Sequence, residues 1–276
     1  MRAIIKQIPN LFTLANLTCG VLAIISFFQA LGYFNQPYPL PPFNPFIASL
    51  NQGIILIAFA LVFDFLDGFS AKLLKAQSPI GAQLDSLADL ITFGVAPSIL
   101  VYVVFQTDLF INATPIIEVF DETQMYVERL PSNIESTLLA ITLLIPVFSA
   151  LRLAKFNVDT EQTDYFKGIP TPANAIFWCG IILTLSSGIR INAIIVGILI
   201  IVMSLLMVSN LKMIAFKFKD LSFKGDNVYR YLLIAGAILL TIICSLLGNI
   251  FAAIPLTIFF YILLSIPYHF YKTKNG

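Results

Sequence analysis

Apolar residues along this chain fall into long continuous segments, and polar residues are concentrated in the stretches between them. A helix that spans a bilayer needs about 20 mostly apolar residues, whereas a membrane β-barrel strand alternates apolar and polar positions. The pattern therefore predicts an all-α integral membrane protein with about eight transmembrane helices. The predicted helices cover residues 10–30, 48–70, 84–106, 134–154, 172–188, 191–209, 230–247 and 249–270.

The composition agrees with this class and excludes several others. Of the 276 residues, 58% are hydrophobic and only 11% are charged, and the mean hydropathy is +0.90. Because a soluble domain carries about 25% charged residues, a soluble globular enzyme, a disordered chain and a nucleic-acid-binding protein are excluded. Cys19, Cys179 and Cys244 each lie in an apolar segment, which argues against a secreted disulfide scaffold.

The basic residues indicate the orientation in the membrane. Cytoplasmic loops of membrane proteins carry an excess of Lys and Arg. If both termini are cytoplasmic, only Arg129 and Arg190 of the 16 basic residues fall on the outer side. The residues expected on the cytoplasmic side are Arg2, Lys6, Lys72, Lys75, Arg152, Lys155, Lys167, Lys212, Lys217, Lys219, Lys224, Arg230, Lys272 and Lys274.

Four aspartates lie at the inner ends of the second and third predicted helices. Asp64 and Asp67 are three residues apart and share one helix face, and Gly81, Asp85 and Asp89 form one stripe on the next helix. A charged side chain at the centre of a spanning helix costs roughly 2.5–3.5 kcal/mol on insertion scales. Even near the interface, four clustered acids require a compensating partner, and the basic residues do not match them one for one.

Carboxylates that converge without His or Cys form a hard-oxygen site, which suits Mg²⁺ or Mn²⁺ rather than Zn²⁺. A pair of divalent ions would neutralise the four charges. Divalent ions in a shared carboxylate site indicate phosphate chemistry, because the metals bridge phosphate oxygens. Lys72 and Lys75 are placed to contact phosphate as point charges. The residues alone thus predict a metal-dependent phosphoryl-type site that opens to the cytoplasm.

The spacing of these residues resembles a known signature. The pattern Asp-x2-Asp-Gly-x2-Ala-(Arg)-x8-Gly-x3-Asp-x3-Asp is that of the CDP-alcohol phosphotransferases, and this chain keeps every spacing from Asp64 to Asp89. Lys72 stands where the family usually has Arg, so the charge is kept but the planar bidentate fork is lost. Further segments resemble one branch of the family, the CDP-diacylglycerol–serine O-phosphatidyltransferases; they are residues 8–20, 84–98, 148–157 and 166–175.

The resemblance implies a role for each matching position. Asp64, Asp67, Asp85 and Asp89 would hold the metals, and Asp89 would also act as the general base on the acceptor hydroxyl. The positions that would bind CDP-diacylglycerol are Pro9, Asn10, Thr13, Gly68, Ala71, Lys72, Ser78 and Gly81. The candidates for binding the acceptor or its phosphates are Arg152, Lys155, Asn157 and Thr171.

The resemblance implies transfer of the phosphatidyl group from CDP-diacylglycerol to the hydroxyl of L-serine, which gives phosphatidylserine and CMP. Direct displacement is favoured, and a two-step route stays open. It also implies a homodimer in a prokaryotic inner membrane. The expected organisation is a six-helix catalytic core over residues 1–210, followed by a cytoplasmic basic loop and two additional helices over residues 211–276.

Two other functions remain open. The same chemistry could use another acceptor, such as glycerol 3-phosphate or an inositol phosphate, because Arg152, Lys155 and Lys167 would suit a phosphorylated molecule. A divalent-cation transporter would also carry intramembrane carboxylates, although these usually lie at the midplane between two related halves. A purely structural scaffold leaves the cost of burying the aspartates unexplained.

Overall fold

The computed structural model describes residues 7–34, 45–106, 110–111, 116–120, 125–129, 137, 140–159, 165–215 and 222–275. Its α-helices are α1 (Ile8–Phe34), α2 (Pro45–Leu73), α3 (Pro79–Asp89), α4 (Ala96–Phe105), α5 (Leu144–Val158), α6 (Thr171–Ser186), α7 (Ala193–Met207), α8 (Asp226–Leu246) and α9 (Ala253–Asn275). A π-helix (Leu90–Val95) joins α3 to α4, so that Pro79–Phe105 is one continuous helical rod.

The prediction of an all-α integral membrane protein is confirmed. Among the described residues, six helical stretches are long and apolar enough to cross a bilayer, and α6 and α7 are shorter apolar helices. Together they match the eight predicted helices. The six long stretches are Ile8–Tyr33, Pro45–Leu73, Pro79–Phe105, Ala140–Val158, Asp226–Leu246 and Ile250–Lys274.

The rod begins at Pro79, five residues before the predicted start at 84. Ser78 is the N-cap, and its Oγ accepts a hydrogen bond from the Gly81 N–H at 3.0 Å. Pro79 occupies the first helical position, where a missing N–H costs nothing. The hydropathy pattern missed this polar first turn, although the capping residue and the proline mark it in the sequence.

Within the described part of the chain, three small two-stranded sheets lie in the connections between helices, and the sequence did not predict them. The pairs are β1 (Phe110–Ile111) with β5 (Ile191–Asn192), β2 (Ile116–Phe120) with β3 (Met125–Arg129), and β4 (Tyr165–Lys167) with β6 (Lys212–Ile214).

These pairings agree with the predicted topology. The register of β4 and β6 sets Lys167 opposite Lys212, so two loops predicted to be cytoplasmic meet at one end. At the other end, β1 lies beside β5, which brings together two connections that were both predicted to be outside. Of the basic residues assigned to the cytoplasmic side, Arg2, Lys6, Lys217 and Lys219 lie outside the described residues.

The helix α6 lies at the centre of the bundle. It packs against α4, α9 and the π-helix, and it is buried along nearly its whole length. Trp178 is fully buried in α6, and its indole N–H donates to Asn174 Oδ1 at 3.1 Å. A helix that is apolar on all sides is stable only when other helices surround it or lipid does. Here α6 supplies the core against which α2 and the π-helix that follows α3 pack.

Glycines set the distance between α1 and its neighbours. A Cβ at Gly20 would lie 2.2 Å from Thr92 Oγ1 in the π-helix, and a Cβ at Gly53 of α2 would lie 2.1 Å from the ring of Phe27. At both positions the absence of a side chain therefore allows the backbones to approach closely. This close packing holds α1 against both acidic helices.

We expect Gly20→Ala to destabilise the protein and Gly32→Ala, in the same helix, to leave it unchanged or slightly more stable. Overpacking of this kind costs roughly 1–3 kcal/mol, whereas a Cβ at position 32 has no other atom within 4 Å. Thermal unfolding of both variants in detergent measures the difference. Equal midpoints for the two variants would show that α1 does not pack against the π-helix in this way.

Candidate active site

Three of the four predicted aspartates form one cluster at the end of α2 and the first turns of α3. Asp64, Asp67 and Asp85 each place a carboxylate oxygen so that all three atoms lie within 4.8 Å of one another. The three-residue spacing in α2 puts Asp64 and Asp67 on one face. Helix α1 contacts both α2 and α3, and it therefore fixes the position of the third carboxylate relative to the first two.

These carboxylates have few polar partners. Asp67 is buried, and its Oδ2 accepts a hydrogen bond from Thr13 Oγ1 at 2.8 Å. The Oδ1 atom of Asp85 is buried and has no hydrogen-bond partner among the described residues. No described Lys or Arg forms an ion pair with any of the three. Mutual repulsion and desolvation therefore act on a site that the described residues do not neutralise.

The donor set fits a divalent cation. Three carboxylate oxygens within 4.8 Å, one of them buried without a partner, are hard ligands of the kind that Mg²⁺ and Mn²⁺ bind. Asp64, Asp67 and Asp85 would hold such an ion. A divalent charge there would supply the attraction that the side chains lack.

Asp89 lies one turn beyond Asp85 and is not a member of the group of three. It is buried, and its Oδ1 accepts a hydrogen bond from Asn16 Nδ2 at 3.1 Å. Asp89 is also the last residue before the π-helix, a feature that is frequent at functional sites. The fourth aspartate thus lies next to the group of three but outside its 4.8 Å limit, with an amide group bound to one of its oxygens.

Asn16 is a residue of the site that the sequence analysis missed. It is fully buried, and its Oδ1 has no hydrogen-bond partner among the described residues. Its backbone carbonyl accepts a hydrogen bond from Thr92 Oγ1 at 3.2 Å. The sequence spacing could have identified Asn16 as a site residue. Asn10, Thr13 and Asn16 recur at intervals of three residues and so share one face of α1.

A cavity of about 300 Å³ opens beside the aspartate cluster. All eight positions expected to bind CDP-diacylglycerol line it, together with Asp67 and Asp85. The structure therefore brings together residues from three separate segments of the sequence. The eight are Pro9, Asn10, Thr13, Gly68, Ala71, Lys72, Ser78 and Gly81.

Several of these lining residues have an identifiable physical role. A Cβ at Gly68 would have no atom within 4 Å, so the backbone of α2 is open at this point. A Cβ at Gly81 would come within 3.2 Å of Asn10 Oδ1, so this glycine lets the start of α3 approach α1. Ser78 caps α3 as well as lining the cavity. Lys72 is exposed in the last turn of α2, where its charge is favourable for the helix dipole.

A second cavity, of about 450 Å³, lies between the end of α5 and the loop that follows α7. Arg152, Lys155 and Lys167 all line it, so it is basic. Lys167 forms an ion pair with Asp159 at 2.8 Å, and Lys155 Nζ donates to the carbonyl of Val208 at 3.4 Å. We refer to this space as the basic cavity.

Arg152 is the most buried of the three cations in the basic cavity. Its Nη1 donates to Thr171 Oγ1 at 2.9 Å, whereas its Nε is buried without a hydrogen-bond partner among the described residues. Asp89 and Arg152 interact electrostatically. The guanidinium is therefore held between the acidic site and the basic cavity, and part of its hydrogen-bonding capacity is unused.

The remaining two acceptor candidates have different surroundings. Thr171 is fully buried behind Arg152, so it orients the guanidinium and does not line the basic cavity. Asn157 exchanges hydrogen bonds with Ser86, at 2.8 Å from its Nδ2 and 3.2 Å to its Oδ1. Asn157 therefore joins α5 to α3, and the structure does not place it among the residues that line the basic cavity.

We expect Mn²⁺ to raise the unfolding temperature of the protein and to raise that of Asp85→Asn much less. A ligand that binds only the folded state stabilises it by about 2.7 kcal/mol at a hundredfold excess over Kd. Asp159→Asn is the control, because it removes one negative charge outside the cluster. An undiminished response to Mn²⁺ in Asp85→Asn would show that the cluster is not the metal site.

Several known proteins are similar to this chain in sequence. The Bacillus subtilis (strain 168) protein named CDP-diacylglycerol–serine O-phosphatidyltransferase is 33% identical over 212 residues, which are 77% of this chain and 92% of that protein. The protein of the same name from Methanocaldococcus jannaschii is 32% identical over 167 residues, 60% of this chain and 65% of its own. The match to the Helicobacter pylori (strain 26695) protein of that name is 32% over 173 residues, 61% of this chain but only 54% of that longer relative.

A family model agrees with these relatives and covers more of the chain. The model described as CDP-alcohol phosphatidyltransferase matches residues 6–264. The match includes the aspartate cluster, both cavities and most of the last two helices. The resemblance seen in the aspartate spacing is thereby confirmed, and the chain belongs to the CDP-alcohol phosphatidyltransferase family.

Proposed function

We propose that this protein transfers the phosphatidyl group of CDP-diacylglycerol to the hydroxyl of L-serine and releases CMP. The observation that carries the proposal is the cluster of Asp64, Asp67 and Asp85, which borders a cavity lined by all eight expected donor-binding positions. The relatives named as serine phosphatidyltransferases support serine as the acceptor.

The first cavity would bind the cytidine diphosphate part of the donor. The open backbone at Gly68 leaves room for a ligand beside α2, and Lys72 lies on the rim with its positive charge. Asn10 and Ser78 offer neutral hydrogen-bonding groups on the opposite wall. The acyl chains would remain in the bilayer, because α2 exposes apolar side chains close to Gly68 in the sequence, Phe65 and Phe69 among them.

The aspartates would hold two divalent ions, with Asp64, Asp67 and Asp85 among the ligands. Bound Mg²⁺ or Mn²⁺ would neutralise the pyrophosphate charge and stabilise the charge that develops in the transition state. Thr13 orients the carboxylate of Asp67 through the 2.8 Å hydrogen bond, so Thr13 acts on the metal site as well as lining the donor cavity. Asp89 would complete the site from the last turn of α3.

Asp89 is our candidate for the general base. Its Oδ1 accepts a hydrogen bond from Asn16, so Oδ2 is the oxygen that would take the proton from the serine hydroxyl. The alkoxide oxygen would then form its bond to the phosphorus that bears the diacylglycerol, and the bond from that phosphorus to CMP would break. Arg152, which interacts electrostatically with Asp89, lies on the side from which the acceptor would arrive.

The basic cavity would bind the acceptor. A planar guanidinium is suited to a carboxylate, because its donors form a fork that matches the two oxygens. Arg152 is fixed by Thr171 and has a buried donor without a partner among the described residues, so it would bind the serine carboxylate. Lys155 and Lys167 would contribute positive charge at the mouth of the cavity.

A phosphorylated acceptor is the second candidate, and one observation favours it. Three cations line the basic cavity and only Asp159 among its lining residues is acidic, which would suit a phosphate as well as a carboxylate. Glycerol 3-phosphate and inositol 1-phosphate are therefore the acceptors to compare with serine. A transport role is less well supported, because the aspartates lie together at one end of α2 and the start of α3 rather than at the midplane.

We infer that the site faces the cytoplasm of a prokaryotic cell, in its inner membrane. The described Lys155, Lys167, Lys212 and Lys272 gather at one end of the bundle, as the positive-inside rule requires of the cytoplasmic end. Nucleotide and serine are both available on that side. The family resemblance also implies that the protein is a homodimer, and we include this state in the proposal.

We expect purified protein with CDP-diacylglycerol and Mn²⁺ to release CMP when L-serine is added. Asp89→Asn should lower the rate by about 10²–10⁴-fold, the contribution typical of a general base. CMP is quantified with L-serine, glycerol 3-phosphate, inositol 1-phosphate or no acceptor. Release with another acceptor only would overturn serine as the substrate. No release with any acceptor, from folded protein that binds Mn²⁺, would favour transport.

We expect Arg152→Lys to raise KM for the acceptor by about ten- to a hundredfold, the range that corresponds to hydrogen bonds with a charged group. Lysine keeps the charge but has no guanidinium fork. KM for CDP-diacylglycerol should change little. Arg190→Lys, an exposed residue at the opposite end of the protein, is the control. An unchanged acceptor KM in Arg152→Lys would remove this residue from the acceptor site.

A further inference from the structure

Three side chains of the last two helices bind the backbone of the segment around β6. Arg230 Nε of α8 donates to the carbonyl of Ala215 at 2.7 Å, and the Tyr261 hydroxyl of α9 donates to the carbonyl of Ile214 at 3.1 Å. His269 Nδ1 of α9 accepts the N–H of Lys212 at 3.1 Å. We name Arg230, Tyr261 and His269 the β6 anchor.

Two members of the β6 anchor are buried, and the third, His269, is half-buried. Arg230 and Tyr261 are 5% and 6% exposed, so their hydrogen bonds form away from water. Arg230 Nη1 also donates to Asn227 Oδ1 at 2.6 Å, which fixes the plane of the guanidinium. Buried polar groups that are satisfied in this way make a segment rigid and specify one arrangement. The anchor therefore fixes the position of β6, and the position of β6 in turn affects the segments that pack against it.

The nearest neighbour of β6 is β4, and the two segments are held in register. Antiparallel pairing sets Tyr165 opposite Ile214 and Lys167 opposite Lys212. The Gly168 N–H then donates to the carbonyl of Leu211 at 2.9 Å. Gly168 has φ +74°, and a Cβ there would lie 2.3 Å from the carbonyl oxygen of Met207. Only glycine fits this close contact without strain.

These two paired segments form walls of the basic cavity. Lys167 lines it from the end of β4, and residues 207–210 line it from the segment that leads to β6. After β4 the chain reaches Thr171 at the start of α6, which holds Arg152 through the 2.9 Å hydrogen bond. A displacement of β6 would therefore move both the lysine and the threonine on which the cavity depends.

We propose that α8 and α9 form part of the acceptor site, with Arg230, Tyr261 and His269 as positioning residues for the basic cavity. The proposal rests on the proposed function, because that function makes the cavity the place where the acceptor binds. It gives the last two helices a role that the expected division at residue 210 does not provide. Their side chains touch no substrate; they hold β6, and through β6 they hold Lys167, Thr171 and Arg152.

The test compares two tyrosines of the same helix pair. Tyr261→Phe removes the hydroxyl that binds the carbonyl of Ile214, whereas Tyr229→Phe removes one that makes no hydrogen bond within the described part of the chain. KM for serine should rise about fivefold in Tyr261→Phe, the change expected for one neutral hydrogen bond. KM for CDP-diacylglycerol should stay within twofold, and Tyr229→Phe should match the wild type for both substrates.

Backbone hydrogen exchange of the same proteins gives a readout that does not depend on turnover. Peptides that cover residues 165–169 and 206–215 should exchange faster in Tyr261→Phe than in Tyr229→Phe, while those of the aspartate helices should not. An unchanged KM for serine would overturn the proposal. So would an equal rise of KM for both substrates, since that result indicates general damage to the fold.

Failure of the proposed function would be seen separately. In that case the wild-type protein would release no CMP with serine, and the exchange measurement would decide the proposal by itself. Faster exchange confined to the two peptides would support positioning of the basic cavity by α9. Exchange equal to that of Tyr229→Phe would overturn it.

Discussion

The constraint on which the structure depends is the cost of placing carboxylates at the ends of membrane helices. Asp64, Asp67 and Asp85 repel one another, and burial removes the water that would screen them. The protein accepts this cost because glycines let α1 lie close to both acidic helices, and because α1 supplies Thr13 and Asn16 as hydrogen-bond donors. The described side chains orient the acids but do not neutralise them, which leaves the charge available to divalent ions.

The two cavities differ in the charge of the side chains that line them. The first is lined by the acids and would receive a donor whose phosphates are bound through metal ions, and the second is lined by cations and suits an anionic acceptor. Asp89 and Arg152 interact electrostatically. In the proposed function, the oxygen that Asp89 would deprotonate and the carboxylate that Arg152 would bind belong to one molecule. Under the proposed function, the bundle would use the acidic site for the donor and the basic site for the acceptor.

The parts of the site that could be predicted are those whose residues lie close together in the sequence. The aspartates and Gly81 follow helical spacing within about one helical hairpin, so their convergence could be predicted from the chain alone. The eight positions expected to bind the donor were identified by resemblance, and the structure places them around one cavity. Asn157 was assigned to the acceptor pocket but bonds to Ser86, a partner 71 residues away. The β4–β6 pairing escaped prediction for the same reason, since three-residue strands between helices carry no periodic signal.

The wide turn after Asp89 has a consequence for how this family of sequences can change in length. A π-helix holds one more residue in its turn than an α-helix does, and each residue of an α-helix rotates the chain by about 100°. The rod therefore presents its acidic face over Pro79–Asp89 and, after Leu90–Val95, a differently phased face with Leu100 in the apolar core. Deletion of one residue within the π-helix would turn these two faces relative to each other. The number of residues in that segment is thus constrained independently of their identity, and insertions and deletions are better tolerated in the loops.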